Sequence, residues 1–526
     1  MTPRRRFLRH SAPLLAAPWL ASCSKGASQP APPGMPRLGI NLAETVDWNT
    51  ELPFIDFFRM SREWISQLPT GDWGKGPKLA LDEQGWIKSL EPGHWADTPM
   101  CTATGSIYPQ GNYKVSYEGA GEIDFWGSGR VIASAPGSLT VEVTPSRGPI
   151  WLRLKKTDPA NPVRNIRVLR PGYEPAATPH NAFHPGFLER WQGVACVRFM
   201  DWMHTNNSRQ SAWKDRPTPQ EATFSVKGTP VELMVDLVNR LEADAWFCMP
   251  HGADDEYVQQ FAKLVKAQLK PTLKVYLEFS NELWNGQFQQ ARDAQMAAQA
   301  AKMGLGQWIS QRSVQLFSTW EQAFGGRERL VRVMPSQAAN KYLSDEMLKH
   351  RDGFKSCDAL AIAPYLSLNL PPDKSGGASL SAAEVEAWSV DMLLDHLESQ
   401  ALPECIGWMK AQKAVADQYG VKLVAYEGGQ HLVGIFGAEN RDNLTRLLHA
   451  ANAHPRMGVL YQRYFDAWAE LGGDLHCHFN SVAQWSKWGS WGLLQYAEED
   501  PAKSPKFMAS LTWARRQGQK VRVPGL

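Results

Sequence analysis

The sequence predicts a (β/α)8 barrel interrupted by an all-β insert. Three observations carry that reading. From about residue 184 onward, short apolar strand-like runs alternate with longer amphipathic helical ones. Between 72 and 172 the texture changes to short alternating strands separated by Gly, Pro, Ser and Asn. One further strand, 38–42, precedes that stretch and brings the barrel strands to eight.

The elements follow in order. Residues 1–22 read as a signal peptide, with Arg4, Arg5, Arg6 and Arg9 as a charged start and a short apolar run over 12–21. It resembles a twin-arginine export signal, with a plain Sec signal as the alternative. The run is too short to span a bilayer and ends in Leu20-Ala21-Ser22-Cys23, which resembles a bacterial lipobox. The resemblance implies an exported chain with Cys23 lipidated, so that the membrane is met only through this anchor. Residues 23–36, rich in Pro, Ser and Gly, form a flexible tether. Residues 37–71 start the barrel with the strand at 38–42 and a helix over 54–67. Residues 72–172 form the inserted β-sandwich, and 173–526 complete the barrel. Its remaining strands are expected at 194–200, 243–249, 273–280, 330–335, 359–364, 421–426 and 475–479. Helices are expected between them, over 231–241, 255–269, 288–302, 308–324 and 441–453. The competing architecture, an open doubly wound sheet, lacks a Gly-rich phosphate loop after any strand.

Charge narrows the partners. The formal net charge is +3, but the leader holds four arginines and no acid, which leaves −1 for the rest. No basic stripe remains to recruit nucleic acid. Of seven cysteines, six follow the lipobox: Cys101, Cys196, Cys248, Cys357, Cys405 and Cys477. None shows CxxC spacing, and Cys196, Cys248 and Cys477 fall in apolar strands, as buried thiols do.

The chemistry is concentrated at two strand ends. In the fourth barrel strand Val275, Leu277 and Phe279 share one face and Tyr276, Glu278 and Ser280 the other; the strand then ends in Asn281-Glu282. The seventh ends in Tyr426-Glu427-Gly428-Gly429. Functional groups of such barrels sit at the C-terminal strand ends. Two carboxyls placed there are what glycosidic cleavage requires, one protonated and the other ionised. Leu283 and Trp284 give Glu282 an apolar setting, which suits the acid. The small residues after Glu427 suggest room for a sugar. Asn281 is positioned to bond a sugar 2-hydroxyl.

With these residues in place the chain resembles the large clan A group of (β/α)8 retaining glycoside hydrolases, over roughly 37–70 and 184–526. That resemblance implies Glu282 as acid/base, Glu427 as nucleophile, Tyr365 beside the nucleophile and Arg198 supporting it. It also implies a tryptophan after the eighth strand as a sugar platform. Trp485 is the best match, with Trp488 and Trp491 competing. Asp201, Trp202 and Asn206 read as cleft-lining. His251 either binds a hydroxyl, supports the acid/base or is structural. Asn41 ends the first strand.

The implied substrate is a polysaccharide or oligosaccharide, with a preference for endo cleavage of β-linkages. No cofactor and no metal are implied: His476 and His478 share a strand face without a third ligand. No GxSxG, HExxH or P-loop motif occurs. The alternative is a non-catalytic carbohydrate-binding surface lipoprotein on the same barrel. The insert, through Trp126, Trp151, Tyr108 or Tyr113, either binds carbohydrate or acts as a spacer or cleft wall.

Overall fold

The computed structural model describes residues 34–175, 182–375 and 377–525. The leader, Cys23 and most of the tether lie outside the described residues. Eight parallel strands close a barrel: β1 (Arg37–Asn41), β2 (Cys196–Arg198), β3 (Asp244–Met249), β4 (Val275–Phe279), β5 (Leu330–Pro335), β6 (Ala359–Ile362), β7 (Lys422–Ala425) and β8 (Leu475–His478). Pairing of Arg37–Ile40 with Leu475–His478 completes the ring.

The period of two along each strand separates two cores. Inward-facing Cys196, Trp246, Cys248, Tyr276, Val333, Ala361, Val424 and Cys477 fill the barrel. The alternate residues, such as Val197, Phe247 and Leu277, meet the surrounding helices. The interior is full at β1, where a Cβ on Gly39 would lie 2.7 Å from Cys477 Sγ and 2.9 Å from the Cys196 carbonyl. The helices form for local reasons too. In Asp255–Gln268, Asp254 caps the Tyr257 N–H, and Val258, Phe261, Ala262 and Val265 bury one stripe. No helix among the described residues is long and apolar enough to cross a membrane. All six described cysteines are buried and free.

The insert is two four-stranded antiparallel sheets. One runs Ile65–Gln67, Trp95–Met100, Ile150–Thr157, Gly121–Gly127; the other runs Arg164–Leu169, Gly111–Glu118, Ser138–Val143, Gly129–Ala135. Alternate residues of both, including Phe125, Leu152, Leu154, Tyr113, Val115 and Val141, are buried in a common core. The insert occupies the connection between β1 and β2, ahead of the helix Pro185–Trp191.

One expectation fails here. The helix expected over 54–67 is a 3-10 turn, Phe57–Met60, followed by the strand Ile65–Gln67 of the sandwich. Phe54, Ile55, Phe57, Phe58 and Met60 are all buried, at spacings that leave no single apolar stripe for a helix. The segment is enclosed on several sides instead of lying as an amphipathic helix on a surface.

Candidate active site

The mouth of the barrel is organised by Arg198, the last residue of β2, whose side chain is fully buried. All five of its N–H donors are used. Nε and Nη2 grip Glu278 of β4 at 3.0 and 3.2 Å. Nη1 reaches Asn41 Oδ1 at 3.0 Å and Glu427 Oε1 at 2.8 Å. Nη2 also donates to Asn281 Oδ1 at 2.9 Å. A guanidinium is the one side chain whose fixed fork can join four partners in this way. Glu278 is held from its other side by the Trp246 indole N–H at 2.7 Å and the Cys248 thiol at 3.3 Å.

Glu427 follows β7. Its Oε1 faces Arg198, and its Oε2 accepts the Tyr365 hydroxyl at 2.8 Å. Tyr365 begins a short strand beyond β6, Tyr365–Leu370, which pairs in parallel with Gly429–Gly434 beyond β7. This extension of the barrel rim fixes the tyrosine beside the carboxylate.

Glu282 lies on the loop after β4. Its Oε2 accepts Asn285 Nδ2 at 2.9 Å, and its Oε1 accepts the Tyr426 hydroxyl at 3.3 Å. Ser280 and Glu282 both have left-handed backbone, φ 61° and 44°. Strain of that kind in non-glycine residues persists only where surrounding contacts enforce it. Burial, reinforced by the charge of Glu427, raises the Glu282 pKa from 4.5 to about 7. The two carboxyls are thus close enough to interact and stand in different environments. One carries no cationic partner and holds its proton near neutrality, while the other takes hydrogen bonds from an arginine and a tyrosine. Asp201, just past β2, stands near Glu427 and Glu44; burial and these like charges raise its pKa well above the carboxylate range.

Asn281 is buried, held by Arg198 and by its own Nδ2 donation to Asn206 at 3.0 Å. Gln290 braces Asn206 at 2.7 Å. Other expected residues fall elsewhere. Trp202 does not line the cleft: it is fully buried among Phe54, Phe183, Phe187 and Phe199, with its indole N–H on the Ala43 carbonyl. His251 pairs with Asp293 at 3.0 Å and touches neither glutamate. Trp485 lies against Lys506 and His449, with its N–H on Gly492, and Trp488 is 61% exposed. Trp491 is joined to Tyr365 through one intervening ring. It packs on His431 and Phe479, and His431 packs on Tyr365.

The glycines after Glu427 serve packing and not sugar access. A Cβ on Gly428 would lie 2.5 Å from the Tyr464 hydroxyl, and one on Gly429 (φ 117°) 2.3 Å from His478. His476 points the same way, with Nε2 2.7 Å from the Tyr464 hydroxyl. Among the described residues no His, Cys, Asp and Glu form a metal-binding group. Sequence reasoning missed Glu278, Tyr426, His431 and Phe479. Only Glu278 left a signal, as a charge on the inward face of a barrel strand.

No protein-family model and no curated protein matches this sequence. Solved structures show a weak similarity to it. A 4-O-α-L-rhamnosyl-β-D-glucuronidase from Fusarium oxysporum 12S is similar at 10% identity and TM-score 0.36, over 62% of this chain and 62% of its own length. An endo-β-1,4-mannanase from Thermotoga petrophila is similar at 10% identity and TM-score 0.33, over 64% of this chain and 74% of its own. A Bacteroidetes-affiliated GH5 cellulase linked with a polysaccharide utilization locus is similar at 10% identity and TM-score 0.37, over 62% of this chain and 86% of its own.

Proposed function

We propose that the chain is a retaining glycoside hydrolase acting on a β-linked polysaccharide or oligosaccharide. The observation that carries this reading is the division of labour between the two carboxyls. Glu282 has its pKa raised to about 7 and donates a proton; Glu427 accepts hydrogen bonds from Arg198 and Tyr365, which aim it as the nucleophile.

In the first step a Glu427 oxygen bonds to the anomeric carbon as the bond from that carbon to the leaving oxygen breaks. Glu282 passes its proton to that oxygen, so the departing sugar leaves as a neutral alcohol. In the second step Glu282, now a carboxylate, takes a proton from water. The water oxygen bonds to the anomeric carbon, and the ester bond to Glu427 breaks. Two inversions give net retention. Arg198 and Tyr365 place Glu427, Asn281 lies beside the pair, and Trp491 offers a flat face near the reacting sugar. Export and anchoring through lipidated Cys23 belong to the same reading.

The test is product analysis on a panel of soluble β-glucans, mannans, galactans and xylans, with the anomer first released followed by NMR. The expected result is cleavage with retained configuration, lost in both Glu427→Gln and Glu282→Gln. Cleavage undiminished in Glu282→Gln, or first release of the inverted anomer, would overturn the mechanism. Binding without turnover across the panel would favour the non-catalytic alternative. Labelling with a radioactive fatty acid, lost in Cys23→Ala, tests the anchor.

A further inference from the structure

We propose that the outer face of the first sheet of the insert is a second glycan-binding site, separate from the Glu282–Glu427 pair. Trp126 and Trp151 are directly opposed on neighbouring strands, with rings 4.7 Å apart and 12° from parallel. Trp73, from the loop after Ile65–Gln67, stands edge-on to both, at 6.0 and 5.3 Å. A fourth indole, Trp95, lies on the same face. The N–H groups of Trp95 and Trp126 both donate to Asp97, at 3.2 and 3.4 Å. Arg153 grips Asp97 through two bonds of 2.8 and 3.0 Å and lies over the rings of Trp95 and Trp126.

These rings are held in place before anything binds, yet Trp73 is 52% and Trp126 36% exposed. They are not the core of the sandwich, because the opposite face of the same strands, through Phe125, Leu152 and Leu154, already supplies that. Exposed aromatics clustered this way mark a binding surface.

The ligand class follows from what adjoins them. A groove of about 570 Å³ runs past Trp95 and Arg153 and is lined with His94, Lys155, Lys156 and Thr157. Lys155 is neutralised by Asp124 at 2.8 Å and Glu122 at 3.2 Å, so the rim offers hydrogen bonds of both senses without a block of one charge. A pyranose has an apolar C–H face for an indole and a ring of hydroxyls for such a rim. A lipid surface or a second copy of the chain would cover the tryptophans but leave the polar groove without a role. We therefore commit to a neutral polysaccharide as occupant.

The test uses the full chain carrying Glu427→Gln, so that glycan is not consumed, with and without Trp73→Ala. Both are run through native gels containing the soluble polysaccharides named above. At least one polysaccharide is expected to retard the parent, with apparent affinity falling about tenfold in Trp73→Ala and recovering in Trp73→Tyr, which keeps a flat ring. An unchanged melting temperature excludes unfolding as the cause. Equal retardation of parent and Trp73→Ala overturns the proposal, as does absence of retardation in every gel. So does a Trp73→Ala effect seen only on oligomeric state or vesicle binding. Hydrolysis is not read, so the outcome stands apart from the proposed chemistry of the barrel.

Discussion

Arg198 and Glu278 meet edge to edge inside the barrel, and the arginine is thereby presented to Glu427 from below. Glu278 is wholly buried, and its side-chain partners are Arg198, Trp246 and Cys248. Its function is to hold and neutralise the group that places Glu427. Breaking a buried pair on one side leaves an unmatched charge, at a cost of about 3–5 kcal/mol. Arg198→Lys keeps the charge but loses the fork, so it is expected to lose only part of that stability in urea titration but nearly all activity. An Arg198→Lys protein with native midpoint and native turnover would sink this role.

The Tyr365 hydroxyl has a narrower task. Tyr365→Phe removes the donor to Glu427 Oε2 and keeps the ring that packs on His431. A hydrogen bond to a charged group contributes about 1.5–3 kcal/mol. We expect kcat to fall roughly ten- to a hundredfold on that basis, with KM nearly unchanged. An equal rise in KM would instead assign the hydroxyl to substrate binding.

Glu282 sets the alkaline side of the pH profile. Its raised pKa, about 7, keeps it protonated below neutrality, and the acid form disappears above it. The plot of kcat/KM against pH should bend downward near pH 7. In Glu282→Gln that bend should vanish. A substrate whose leaving group departs without protonation should lose much less rate in this variant than a sugar leaving group does. An alkaline limb that persists in Glu282→Gln would remove the residue from the acid role.

The tryptophans mark where sequence reading reached its limit. Strand periodicity placed Asn281-Glu282 and Glu427 at the ends of β4 and β7, because alternation and strand order are local and countable. The position of a loop side chain is not. Trp485, Trp488 and Trp491 lie within seven residues, and which one turns toward the pair depends on a chain path set by contacts with helices far away in sequence. Trp485 is drawn to Lys506 and His449, whereas Trp491 reaches His431 and Phe479. Gly428 and Gly429 misled for the same reason: their neighbours, Tyr464 and His478, come from the following helix and strand. The expected helix over 54–67 failed because burial on several sides erases the periodicity that identifies a helix.

From this placement, Trp491→Ala is expected to raise KM for oligosaccharides about tenfold, in line with the loss of one aromatic contact. Trp488→Ala, at an exposed tip, should leave it unchanged. A larger effect from Trp488→Ala than from Trp491→Ala would reverse the assignment of the sugar platform.

The raised pKa of Glu282 also makes a prediction about stability. The folded chain holds this proton up to about pH 7, whereas the unfolded chain releases it near the ordinary value of 4.5. Between those values the unfolded state binds fewer protons, so this group lowers stability as pH rises through that window. Below about pH 4.5 both states are protonated and the penalty is absent. Glu282→Gln carries no ionisable group here, so its stability advantage over the native chain should be absent at pH 4, grow through pH 5 and 6, and level off above pH 7. An advantage of about 2 kcal/mol at pH 8 is expected, discounted from the full shift for the partial exposure of the loop. Urea titrations of both proteins at these pH values measure it directly. A difference that stays flat from pH 4 to pH 8 would mean that Glu282 ionises as freely in the fold as outside it, and the acid role would lose its electrostatic basis.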